Sequence, residues 1–368
     1  MRRLPAMSAG RERRGADPQE CRIDARQAPR SMMNFAPELT ESTAVPIEQG
    51  VWQWPGRFPL HHGGSLEPVH IGWRLEGAAG TPVVAALGGI SAHRRVFDVH
   101  SPRQGWWPEL AGPGRALDST RVRILGIDYL GASGQSTGPS AGGPFPSLSS
   151  YDQAEALRGL IEHLRIERLA AIVGASYGGM VALAFAERYP QRVGQLLILS
   201  AAERTHPMAT AWRSVQRRIV RFALSVGRPA QGLELARALA MATYRSPQEF
   251  AARFAQAPVA GEHGFVFPVE EYLMARGRDY AARYLPESFL CLSESIDLHA
   301  VDASRISVPT TLVAVREDQL VPLADMHALA ARLPHARLHE LSSAHGHDGF
   351  LKEAQQLQPV FQCLYGEP

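Results

Sequence analysis

The sequence predicts an α/β fold, a mostly parallel sheet flanked by helices and interrupted by an inserted helical segment. Two observations carry this. From about residue 67 onward, short runs that are apolar throughout alternate with helix-like stretches; a strand buried on both faces reads as such an unbroken run. The alternation then stops between about residues 203 and 300 and resumes at Thr310, as it would if a helical excursion were spliced between two strands of one sheet.

Taken in order, residues 82–87, 122–127, 169–173, 195–199 and 310–315 read as strands, with 336–341 a weaker sixth. Helical patterns fill 151–164, with Ser150 as its N-cap, and then 179–188, 323–333 and 348–364. Residues 169–186 carry no charge and satisfy the length rule for a membrane helix. Their centre, Gly174-Ala175-Ser176-Tyr177-Gly178-Gly179, suits a sharp turn instead. The division that follows is a sheet domain of 60–202 and 301–365, a helical lid of 203–300, and a disordered tail of 1–45. The first 31 residues hold eight arginines, four acids and few large apolar side chains, too little to repay the entropy of ordering. They lack the apolar stretch of a secretory signal, and Met32 and Met33 are alternative starts.

Composition narrows the chemistry. The 368 residues are 45% hydrophobic, with 38 basic against 36 acidic side chains and a net charge of +2. That balance gives no global field towards nucleic acid. Only one of the basic residues is a lysine, Lys352, and its neighbours Leu351 and Glu353 fit no phosphate-binding loop. Gly349, three residues before it, rules out a Ser-x-x-Lys nucleophile, and a pyridoxal Schiff base would have to use this one lysine. Cys21, Cys291 and Cys363 are far apart and odd in number, so neither a disulfide framework nor a zinc site is expected, which fits a reducing, cytoplasmic setting.

The hexapeptide at 174–179 contains Gly-x-Ser-x-Gly between a strand and a helix, the context of a nucleophile elbow. Small flanking residues let the chain turn sharply and lift the Ser176 hydroxyl above the sheet, at a helix N-terminus that favours developing negative charge. A serine nucleophile needs a base and an acid that orients it, and these should follow at later strand ends. Glu317 and Asp318, just past 310–315, both qualify as the acid. His345 and His347, after 336–341, both qualify as the base. Two histidines two residues apart, with no third ligand evident, do not suggest a metal site. An oxyanion hole would use the N–H of Tyr177 and one from Leu87-Gly88-Gly89-Ile90.

With these residues assembled, the chain resembles the homoserine O-acyltransferase family of the α/β-hydrolase superfamily over about residues 65–355. The resemblance runs through Gly105-Trp106-Trp107, Gly112 to Asp118, Ser136-Thr137-Gly138-Pro139 and the elbow Ser176 to Met180. It continues through Gln216-Arg217, Gly232 to Arg237, Thr243-Tyr244-Arg245-Ser246 and Gly346 to Leu351. It implies an α/β-hydrolase fold with a helical lid. It also implies Ser176 as the residue acylated by acyl-CoA, His347 as general base and acid, and Asp318 as its orienting partner. By the same resemblance, Arg237 binds the carboxylate of L-homoserine, Asp348 its ammonium group, and Tyr244 lines the site. Leu87 and Tyr177 supply the oxyanion N–H groups, and Arg217 touches acyl-CoA. Acyl-CoA is a co-substrate, no cofactor is implied, and members pair as homodimers through lid helices.

The acyl group is pulled two ways. Leu320 stands where some succinyl-using members have arginine, which argues for acetyl. The compact lid and the Gly-Ala-Ser-Tyr-Gly-Gly elbow resemble the short succinyl-transferring members, and succinyl-CoA is the donor expected here. Serine is an alternative acceptor, since one methylene is worth only about 1–3 kcal/mol of discrimination. Ester hydrolysis on the same triad is the alternative reaction.

Overall fold

A computed structural model describes residues 46–262 and 264–366; the tail expected over 1–45 lies outside the described residues. Eight strands form the central sheet: β1 (Ile47–Gln53), β2 (His70–Glu76), β3 (Val83–Leu87), β4 (Arg123–Ile127), β5 (Leu169–Ala175), β6 (Val193–Leu199), β7 (Thr310–Val315) and β8 (Ala336–Leu341). Their order across the sheet is β1-β2-β4-β3-β5-β6-β7-β8. β1 runs antiparallel to β2, and β2 to β4; every later pairing is parallel.

The strands read as apolar runs are the central ones. In β5, Leu169 and Ile172 pack towards one face, and Ala171, Val173 and Ala175 towards the other. Helices α1 (Ser150–His163) and α2 (Tyr177–Arg188) bury Leu157, Leu160, Val181 and Phe185 against the first face. Residues 96–117 and the C-terminal helix α10 (Ala354–Phe361) cover the second, through Phe97, Trp107, Leu117 and Phe361.

The sheet extends beyond the sequence reading. β1 begins at Ile47, thirteen residues before the expected start of the domain at 60, and β2 was not anticipated at all. β1 is largely exposed, and β2 buries Arg74 and Glu76 as an ion pair, so neither carries an apolar run. The cap of α1 is Ser149, not Ser150. Ser149 and Asp152 form a reciprocal capping box, while the Ser150 hydroxyl meets His299 Nδ1 at 2.7 Å. The expected closing helix of 348–364 is broken at Glu353 into a short turn of helix, α9 (Gly349–Lys352), and α10. The uncharged run 169–186 is β5, one turn residue region and most of α2, and among the described residues no helix is long and apolar enough to cross a membrane.

Between β6 and β7 the chain forms the lid: α3 (Pro207–Ser225), α4 (Pro229–Tyr244), α5 (Pro247–Arg253), α6 (Pro268–Ala281) and α7 (Pro286–Asp297). A small ribbon, Val259–Gly261 with Gly264–Val266, interrupts a segment expected to be helical throughout. The two stems of the lid pair with each other, Arg204 bridging Ala300 and the Val301 N–H donating to the Glu203 carbonyl at 3.1 Å. The lid has its own core of Val220, Leu233, Ala236, Tyr280 and Phe289. The helix after β7 is α8 (Leu323–Arg332).

Candidate active site

β5 ends at Ala175 and α2 begins at Tyr177, so Ser176 alone makes the reversal. It does so at φ 54° and ψ −122°, a conformation that costs a non-glycine residue about 1–3 kcal/mol. The neighbouring glycines permit it. A Cβ on Gly178 would lie 2.1 Å from the Leu87 carbonyl oxygen, and one on Gly174 would lie 2.4 Å from that of Gly178. Backbone hydrogen bonds fix the turn: Ser176 N–H to Leu199 O at 2.8 Å, and Gly178 N–H to Gly88 O at 2.9 Å. The buried Tyr129 hydroxyl donates to the same Gly88 oxygen at 2.8 Å.

Asp318 lies just past β7 with its side chain fully buried. One carboxylate oxygen accepts the N–H groups of Leu320 and Val321 at 2.8 and 3.0 Å. The other faces His347 Nδ1 at 2.7 Å, and His347 Nε2 lies 2.8 Å from Ser176 Oγ. The structure thus brings Ser176, Asp318 and His347 into one hydrogen-bonded line. Glu317 turns away to accept the Ser343 N–H at 2.8 Å, and His345 meets Arg245 at 2.7 Å. Burial opposes a charge on His347, but the Asp318 carboxylate and its hydrogen bond outweigh it and hold the imidazole pKa above its ordinary 6.5. The segment after His347 is tied down by the Trp107 indole, which donates to Phe350 O at 2.9 Å.

A cavity of about 170 Å³ opens above Ser176, between the sheet and the lid. Such a volume holds roughly ten water molecules, enough for a small amino acid. Arg237, Tyr244 and Asp348 all line it. The Arg237 guanidinium lies 5.0 and 4.8 Å from the ring centres of Tyr244 and Tyr280, and 3.4 Å from the Tyr244 hydroxyl. Among the described residues it has no carboxylate within ion-pair distance, so its forked donors face the cavity without a protein anion. Tyr244 also packs beside His347, ring centres 5.9 Å apart. Asp348 pairs with Arg245 at 3.2 Å.

Leu87 and Tyr177 are buried, Leu87 closing β3 and Tyr177 opening α2. As the first residue of a helix, Tyr177 has an N–H with no acceptor inside that helix. Its side chain points inward, the hydroxyl 2.6 Å from Ser295 Oγ. The structure does not bring Arg217 to the cavity. Its NH1 lies 2.6 Å from Asp297 and donates to the Ser293 carbonyl at 2.9 Å, which ties α3 to α7. The cavity is lined instead by Ala209, Trp212, Arg213 and Gln216 of the same helix. That set has the spacing of one helix face, a signal present in the sequence. Arg204 and Trp106 also line the cavity; Trp106 lies in a motif of the family resemblance, but neither residue is assigned to the site from sequence. The Trp106 indole nitrogen is buried without a hydrogen-bond partner in the structure.

Comparison with known proteins agrees with this architecture. A model of the alpha/beta hydrolase fold family matches residues 99–354. Homoserine O-succinyltransferase of Xanthomonas campestris pv. campestris is 39% identical over 353 residues, which span 92% of this chain and 93% of that protein. Homoserine O-acetyltransferase of Thermus thermophilus is 36% identical over 284 residues, 71% of this chain and 72% of that one. The crystal structure of homoserine O-acetyltransferase from Bacillus anthracis superposes with a TM-score of 0.78 at 18% identity, covering 86% of this chain and 97% of that one. The chain therefore belongs to the homoserine O-acyltransferase family of the α/β-hydrolase fold.

Proposed function

We propose that the protein is an acyl-CoA:L-homoserine O-acyltransferase of methionine biosynthesis that uses succinyl-CoA. The observation that carries this reading is the meeting, in one cavity, of Ser176 and His347, the latter backed by Asp318, with the carboxylate of Asp348 and with Arg237, which has no carboxylate partner among the described residues. A zwitterionic amino acid has a matching partner at each end.

In this reading neutral His347 takes the Ser176 proton as Oγ attacks the thioester carbonyl. The tetrahedral oxyanion is held by the N–H groups of Tyr177 and Leu87. CoA leaves as the thiol with the proton from His347, and Ser176 is left acylated. Arg237 then binds the homoserine carboxylate, Asp348 its ammonium group, and Tyr244 the flank between them. The homoserine hydroxyl gives its proton to His347 and attacks the acyl carbon, releasing O-succinyl-homoserine and free Ser176. Water competes at this second step, and a closed lid favours transfer.

The relative from Xanthomonas supports the succinyl donor. So does Arg204, an exposed cavity residue without an ion-pair partner among the described residues, which offers a cation to the second carboxylate of a succinyl group. Homodimerisation is supported by α3, which exposes Met208, Val215 and Phe222 at spacings of seven, with Val226 exposed just beyond its end. The unpaired thiols of Cys291 and Cys363 are compatible with work in the cytoplasm.

The test is thiol release from succinyl-CoA and acetyl-CoA, with homoserine, with serine and with neither. Homoserine-dependent release that prefers succinyl-CoA is expected, and it should vanish in Ser176→Ala. Release that ignores the amino acid would make the protein a hydrolase. Sedimentation of Phe222→Asp, expected to be monomeric, tests the pairing face.

A further inference from the structure

A second cleft, of about 510 Å³, lies beside the acyl cavity and shares Ser91 and Ala92 with it. It runs between the loop after β3, the loop after β4 and the link from α6 to α7. Its walls carry Arg94, Arg95, Arg103 and Arg283 against a single acid, Asp128. That acid is fully engaged: it pairs with Arg94 at 2.6 Å and accepts the N–H groups of Arg94 and Gln135, each at 2.8 Å. Arg95 turns to Asp98 at 3.3 Å. Arg103 and Arg283 are exposed and have no carboxylate within ion-pair distance among the described residues. Arg283 donates through Nε to the Asp279 carbonyl at 3.0 Å, which leaves its terminal nitrogens free.

A cleft with such an excess of guanidinium, and no free acid, suits an anion of several charges. Arginine forks match phosphate oxygens best. The acyl donor of the proposed reaction carries such a group, the phosphorylated nucleotide of coenzyme A, joined to the thioester by a long neutral arm. The nucleotide is too large for a cavity of about 170 Å³, so it must lie outside while the arm reaches Ser176. The shared wall at Ser91 and Ala92 offers the crossing, and it is held in place by the Tyr284 hydroxyl, which donates to Ser91 O at 2.7 Å.

We propose that this cleft binds the phosphates of coenzyme A through Arg103 and Arg283, with the pantetheine arm crossing at Ser91 and Ala92. The proposal rests on the acyl-CoA reading above. A neighbouring groove shares Trp106 and Leu351 with the acyl cavity and also carries cations, Arg103, Arg115 and Lys352. Asp98 and Glu109 in its walls bring it much closer to neutral, so it is the weaker fit.

The decisive comparison uses two donors with the same acyl group, one on coenzyme A and one on pantetheine, which lacks every phosphate. The readout is the ratio of their kcat/KM values. Arg103→Glu with Arg283→Glu should collapse the preference for the coenzyme A donor at least about tenfold, since a hydrogen bond to a charged group is worth that much or more. Raising the salt should narrow the same ratio in the unmutated enzyme. An unchanged ratio in the double variant overturns the proposal. So does a collapse produced by Arg115→Glu in the neighbouring groove. If no acyl-CoA proves to be a donor, calorimetric binding of free coenzyme A to the Ser176→Ala protein still decides the matter. Binding that is lost with Arg103 and Arg283 supports the cleft even then, and binding indifferent to them removes it.

Discussion

Arg245 grips Asp348 at 3.2 Å, and the same guanidinium reaches Glu249 at 3.3 Å and His345 Nδ1 at 2.7 Å. Arg245 directly follows α4 of the lid, whereas Asp348 and His345 flank the histidine that faces Ser176. One half-buried cation thus aims the carboxylate proposed for the acceptor ammonium group. Gly346, at φ 56°, allows the close approach, since a Cβ there would lie 2.7 Å from the Tyr244 carbonyl oxygen.

Arg245→Ala should raise KM for the amino-acid acceptor by more than it slows acylation of Ser176, measured as the burst from a p-nitrophenyl ester. Asp348 would lose its orientation while the line from Asp318 to Ser176 keeps its own hydrogen bonds. Loss of one partner of a buried pair also costs stability, about 3 kcal/mol in denaturant titration. Equal losses in burst and acceptor KM would mean that Arg245 does no more than hold the fold.

The acid limb of kcat/KM should have its midpoint above pH 6.5. His347 must be neutral to accept the Ser176 proton, and its pKa is held above that ordinary value, chiefly by Asp318 working against burial. The base is therefore lost as pH falls through the raised pKa. Asp318→Asn should move the midpoint down and lower kcat by about 10⁴-fold. The same shift acts on stability with the opposite sense of pH. The contribution of the His347–Asp318 pair is complete below the unfolded pKa near 6.5 and fades as pH rises through the folded one. A rate profile with its acid midpoint below 6.5 would contradict the assignment of His347 as the base.

Arg237→Lys keeps the charge but loses the planar fork between the Tyr244 and Tyr280 rings. Acceptor kcat/KM should fall by roughly 10- to 100-fold, the range of a lost charge-assisted hydrogen bond, while acceptor-independent acylation changes much less. An unaltered acceptor KM would remove Arg237 from the carboxylate site.

Two glycines near the elbow should respond in opposite ways to alanine. Gly178→Ala drives a methyl group into the Leu87 carbonyl at 2.1 Å and should cost at least about 1–3 kcal/mol, together with activity. Gly89→Ala meets nothing within 4 Å and should fold normally. Thermal unfolding of the two variants separates them.

The sequence was most legible where burial is complete on both faces of the sheet. The inner strands β3 to β7 are apolar runs, and each candidate catalytic group sits just past the end of one strand, where a short motif reveals it. β1 and β2 escaped because an edge strand needs only partial burial, and because the Arg74–Glu76 pair hides inside a pattern that reads as polar. Arg213, and the place of Gln216 in the site, escaped for a different reason. Residue type places them on a helix, but which face of α3 looks inward depends on how the lid docks: Arg213 and Arg217 both pair with Asp297, and only Arg213, with Gln216, also lines the cavity. Position alone left Glu317 and Asp318 open and only the family resemblance pointed to Asp318; in the fold that carboxylate is the one the Leu320 and Val321 amides hold.

The join between lid and catalytic loop has one more consequence. Both the N–H and the hydroxyl of Ser246 hold the Ala344 carbonyl, at 3.3 and 2.6 Å, and Gln319 beside Asp318 donates to the Arg245 carbonyl at 2.9 Å. The stretch that follows α4 is therefore stitched to both loops that carry the proton relay. This makes an interlock: a swing of the lid wide enough to break those bonds also disarms the base. In the proposed reaction, water would then enter freely only while nothing is poised to activate it, and an acylated Ser176 would be guarded by timing as well as by exclusion.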